Sequence, residues 1–161
     1  MTKLLTLAAM IALPTVAAVA QAPMAAPTYV MKAGAGDQYE IQSSRLLLTS
    51  TKNAKLRSFA SMMVTDHTKS TADVKAAAMR AGLHPAPPKL DAMGTKNVAA
   101  LRAATGTARD RLYVEQQKSA HQRALTLHQT YAQSGTAAPL KTVAASIAPV
   151  VETHITELST M

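Results

Sequence analysis

Residues 83–90 read Leu-His-Pro-Ala-Pro-Pro-Lys-Leu, and this stretch constrains the fold more than any other. Proline lacks an amide donor and its ring clashes with the preceding turn, so three prolines so close together exclude a helix and impose an extended connector. On either side the chain has helical periodicity. The first half offers a helix over Thr28–Thr49, striped by Val30, Ala33, Asp37, Ile41, Ser44 and Leu48. A polar break at Ser50–Asn53 follows, with Asn53 as N-cap, and a second helix runs over Ala54–Ala81 to Gly82. The second half offers a helix from about Thr107 to Gln133, a turn at Gly135, and a helix from Ala138 to Leu158 with Pro149 inside it. Between the halves, Asp91 is placed to cap a short helix to about Ala104, which Gly106 would end. Thr107 and Asp110 have the spacing of a capping box for the helix that follows.

Two helical hairpins joined by one long crossover (residues 83–106) are the wiring of a ferritin-like four-helix bundle. Short turns throughout would have given a simple up-and-down bundle. Composition agrees with an all-α chain. Apolar residues make up 48% of it, supplied by Ala, Leu, Val and Met, with one Phe and no Trp. The length of 161 residues supports one domain. No cysteine is present, which excludes disulfides and thiolate metal sites. The net charge of +8 comes from scattered Lys and Arg without interleaved aromatics, so no nucleic-acid partner is expected.

The N-terminus has the pattern of a signal peptide over residues 1–20. Lys3 precedes an apolar run from Leu4, which ends in Ala18-Val19-Ala20, a small-x-small cleavage site. The run is short for a membrane span and contains Pro14. Residues 21–27 then read as a flexible leader, and residues 28–158 as the bundle. An exported, periplasmic protein is the expectation.

Candidate chemistry is confined to a few polar residues on or beside the apolar stripes. Glu40, His67, His121 and His154 each belong to a different helix. Counting from the turns at about 1.5 Å per residue places them roughly 17, 22, 20 and 24 Å along their helices, at one common depth. Three imidazoles and a carboxylate converging in a core suit one Zn, Fe or Cu ion. Asp66 would join as a ligand or as a partner holding a histidine. The other reading is a hydrogen-bonded lock on helix register. His128 lies on the same face near its helix end and is expected to be partly exposed, and His84 in the connector to lie on the surface. Met62, Met63, Met79 and Met93 read as core filler and helix surface.

The segments around these positions resemble a known family. They are Tyr39-Glu40-Ile41, Asn53 with Lys55 to Ala60, Met63-Val64-Thr65-Asp66-His67, Arg109 to Tyr113, Ser119-Ala120-His121 and Pro149 to His154. Over about residues 28–158 the chain resembles exported bacterial proteins grouped as domain of unknown function 4142, in the ferritin-like superfamily. The resemblance implies a fold and export, and no established activity. Ferritin di-iron sites use Glu-x-x-His on two helices. Here Val64 and Val151 stand where those glutamates would be, which counts against ferroxidase chemistry and iron storage. Three functions follow as expectations: a metal-binding or envelope-stress module, a metal-dependent oxidoreductase, and a structural module touching the anionic envelope through Lys52, Lys55, Arg57 and Lys69.

Overall fold

The computed structural model describes residues 23–161, so the signal-peptide segment lies outside the described residues. Five helices are present among them: α1 (Ala26–Leu48), α2 (Ala54–Arg80), α3 (Ala92–Ala103), α4 (Gly106–Ser134) and α5 (Ala138–Ser159). No helix among the described residues is long and apolar enough to cross a membrane. α1 begins two residues earlier than its periodicity indicates. Pro27 sits in its first turn, where a missing amide costs nothing. Ala26 is buried and donates its amide to Thr136 Oγ1 at 3.1 Å. Residues 26 and 27 are therefore helix and not leader, because the α4–α5 turn holds them.

The turns follow from local chemistry. Asn53 Oδ1 accepts the amides of Lys55 and Leu56 at 3.0 and 3.2 Å and starts α2. At the other end of α2, Gly82 takes φ +76°, a left-handed conformation suited to glycine. The amides of Leu83 and Gly82 return to the carbonyls of Ala78 and Met79, a Schellman stop that turns the chain into the crossover. Asp91 Oδ1 caps α3 through the amide of Gly94 at 2.6 Å. The Thr107–Asp110 box does not form. Thr105 is the N-cap of α4 and makes no side-chain cap bond, and Asp110 Oδ2 accepts from Thr51 Oγ1 at 3.1 Å. Asp110 therefore ties the α1–α2 turn to α4.

α1 packs on α2 and α4, and α5 packs on α4 and α2. Tyr39 bonds Gln116 and Ser44 bonds Tyr113, so α1 and α4 run antiparallel. Asp66 bonds His154 and Lys55 bonds Thr160, so α2 and α5 do too. Consequently α2 and α4 are parallel, and the crossover must travel the length of the bundle to connect them. It does so along α1. Pro88 lies so close to Gly34 that a Cβ there would come within 2.8 Å of it. The result is the ferritin-like bundle.

Two apolar clusters fill the core. One gathers Tyr29, Val74, Ala77, Tyr131, Leu140 and Ile147 towards one end. The other gathers Leu47, Leu56, Phe59, Met63, Tyr113 and Leu158 towards the opposite end. Between them lies a buried polar layer of Asp37, Glu40, His67, Gln117, His121 and His154. Burying such groups costs free energy unless they find partners. α5 passes through Pro149 without a break.

A three-histidine cluster in the polar layer

α2 contributes His67, α4 contributes His121 and α5 contributes His154, all buried. One ring nitrogen from each lies within 4.8 Å of the other two. The remaining nitrogen of each ring is held from behind. His67 Nδ1 meets Asp37 Oδ1 at 2.8 Å, His121 Nδ1 meets the Gln117 carbonyl at 3.0 Å, and His154 Nε2 meets Asp66 Oδ2 at 3.0 Å. Each acceptor is an oxygen, so each of these nitrogens carries the proton and donates; this assigns the tautomers by their partners. The inward nitrogens are therefore lone pairs in the neutral rings. His121 Nε2 and His154 Nδ1 face one another at 3.3 Å, and His67 Nε2 is buried with no hydrogen-bond partner. Facing lone pairs call for a proton, a metal ion or the O–H groups of a water between them.

The electrostatics point the same way. Burial lowers His121 to about 3, helped by the neighbouring imidazoles of His67 and His154. Burial also lowers His154, against the pull of Asp66. Burial works to lower His67 as well, but the hydrogen bond and charge of Asp37 outweigh it and raise its pKa. Of the three rings, His67 is thus the one that takes up a proton first as the pH falls. Burial pushes Glu40 up to about 7, with His67 opposing.

The structure brings His67, His121 and His154 together and places Asp66 and Glu40 around them. Asp66 backs His154 and is the partly exposed member, its side chain 34% accessible. Glu40 Oε1 lies 3.8 Å from His121 Nδ1, on the outer side of that ring, and its Oε2 is buried without a partner. Asp37 was not among the expected site residues. The signal for it was a carboxylate on the apolar stripe of α1, three residues before Glu40. Thr71 Oγ1 donates to its second oxygen at 3.0 Å, so Asp37 is fully engaged.

His128 is buried and not partly exposed as expected. Its Nδ1 meets the Tyr29 hydroxyl at 2.9 Å, and α1 covers it. His84 lies on the surface. Among the methionines, Met63 is fully buried and Met79 and Met93 are exposed. Three of the four basic residues considered for an envelope face have partners within the chain. Lys55 donates to Thr160, Arg57 to the carbonyls of Leu48 and Thr51, and Lys69 pairs with Asp73.

Fold and site together define a helical bundle of ferritin-like wiring whose polar layer presents three histidines in place of paired carboxylates. The chain belongs to the family described as Domain of unknown function (DUF4142), whose sequence profile matches residues 12–161. Comparison of the sequence with curated proteins gives no match. Among solved structures the fold is similar to that of CopM in the Cu(II)-bound form. The TM-score is 0.72 over 86% of this chain and 95% of that one, at 14% sequence identity.

Proposed function

We propose that this protein is an exported, periplasmic metal-binding bundle that holds one transition-metal ion at His67, His121 and His154. The observation that carries the reading is the set of three inward nitrogens within 4.8 Å of one another, each on a ring whose other nitrogen is fixed by an oxygen. Metal-bound histidines characteristically donate their second N–H to a carboxylate or carbonyl, which fixes ring orientation and raises ligand basicity. A metal ion would compete with the proton at these nitrogens. Asp37, Asp66 and Glu40 surround the trio and offset a divalent charge.

Copper and zinc suit three imidazoles better than the oxygen-preferring ions do. Copper is the first candidate because the similarly folded CopM is described in a Cu(II)-bound form. The export part of the reading rests on the N-terminal pattern of Lys3, an apolar run and Ala18-Val19-Ala20. Binding is tested on mature protein purified without a tag and stripped with chelator. Titration calorimetry with Cu(II) and with Zn(II) should show one ion per chain, and the ion should raise the thermal midpoint. No binding of either ion, with no thermal shift, would remove the proposal.

A further inference from the structure

A second site lies outside the bundle core. The crossover, α1 and α2 enclose a cleft of about 930 Å³, near the upper end of the usual range for small-molecule pockets. Its walls are apolar: Val30 and Met31 on α1, Val74 on α2, and Pro85, Pro88 and Leu90 on the crossover. Met31 is 66% exposed, the most open of the large apolar side chains among the described residues. The cleft has a structural cause. The helices use their backbone groups internally and the proline-rich segment has few donors, so no hydrogen-bonded ladder draws the two together; the segment touches α1 closely where Gly34 has no side chain. Such a wall is stiff, and the cleft is formed before any ligand arrives.

The polar groups at this cleft are mostly of one sign. Lys32, Lys75 and Lys89 line it and are exposed, and none lies within 4.0 Å of a carboxylate among the described residues. The one lining carboxylate, Asp91, is occupied in capping α3. An apolar slot with free ammonium groups is complementary to an alkyl chain ending in an anion. The cleft has three walls and is concave, so it admits a single chain, whereas a bilayer surface is met by a protruding apolar face. Compact ammonium charges without a guanidinium fork suit one small carboxylate. We propose that this cleft binds one long-chain fatty acid, its acyl chain along the proline wall and its carboxylate among Lys32, Lys75 and Lys89. This site is independent of the histidine cluster.

The test is titration of the untagged mature chain with palmitate below its micelle concentration, read by calorimetry and by displacement of a fluorescent fatty acid. One palmitate should bind per chain. Hexadecyltrimethylammonium, which has the same chain and the opposite charge, should bind at least about tenfold more weakly. Lys75→Glu with Lys89→Glu should lower palmitate affinity by about tenfold or more, and Lys118→Glu on exposed α4 should leave it unchanged. Ala86→Trp, on the exposed wall, should weaken binding by filling space. Circular dichroism checks that each variant is folded. The proposal is overturned by equal affinity for the anionic and cationic chains, by charge reversal that changes nothing, or by no palmitate binding. Adsorption to anionic phospholipid vesicles without uptake of monomeric palmitate would overturn it too, making the face a membrane contact.

Discussion

His121 and His128 lie two turns apart on one face of α4, both buried, and their surroundings differ in one respect. His128 Nδ1 accepts from the Tyr29 hydroxyl at 2.9 Å, and Tyr29 stacks on Tyr131 with ring centroids 3.9 Å apart. Burial, with the nearby Asp37 charge, pushes the Tyr29 phenol upward, so the hydroxyl keeps its proton and stays the donor. Donor and acceptor match at Nδ1, so Nε2 carries the ring proton and this contact is made between protein atoms. His121 has its outer nitrogen satisfied by Gln117, but its inner nitrogen faces another acceptor, His154, beside the unpartnered His67 Nε2. The bundle thus contains one buried histidine whose acceptor nitrogen is served by a donor of its own chain, and a trio whose inward acceptor nitrogens face one another with no protein donor between them. A register lock would pair such nitrogens with donors; the trio turns them towards each other.

The strongest way to break this comparison is to remove an inward nitrogen. His121→Leu should reduce metal affinity by at least about a thousandfold, roughly 4 kcal/mol, by calorimetry. His128→Leu should lower the thermal midpoint of the metal-free protein and leave the affinity within about threefold. Equal losses of metal affinity at both positions would erase the distinction.

Acid acts on both regions, and His128 isolates its own share. Burial holds His128 at about 4, against an unfolded value of 6.5. Between those values the unfolded chain binds more protons, so stability falls as pH falls. The contribution is complete above pH 6.5 and lost by about pH 4, on the order of 3 kcal/mol. Denaturant unfolding of the metal-free protein across that window should show the decline. His128→Gln removes one titrating group and should make it shallower, with His121 and His154 supplying what remains.

A smaller effect is expected behind the trio. Asp37→Asn keeps the shape but loses the charge that orients His67, and should weaken metal binding by about 10–100-fold with the one-ion stoichiometry intact. The smallest effect belongs to Tyr29→Phe. It deletes the hydroxyl that His128 accepts from and should cost about 1 kcal/mol of stability, with metal affinity unchanged.

Much of this molecule was legible in the sequence because its punctuation is local. Asn53, Gly82 and Asp91 act through backbone groups within a few residues, so the helix ends they set could be read directly. The common depth of His67, His121 and His154 followed from helix rise alone. What was not legible depends on distant partners. Asp110 has the spacing of a capping residue but goes to Thr51, 59 residues away. His128 looked like a helix-end residue until Tyr29, 99 residues away, covered it. The start of α1 at Ala26 depends on Thr136 in another turn. Asp37 was visible on the α1 stripe, but its pairing with His67 required knowing how α1 and α2 are rotated against each other.

X-ray absorption at the copper edge of untagged, copper-loaded protein tests the central claim most directly. The account predicts nitrogen scatterers at about 2.0 Å with the outer-shell signature of three imidazoles, reduced to two or lost in His121→Leu. A first shell of oxygens or of thioether sulfur, or a wild-type spectrum identical to that of His121→Leu, would contradict it.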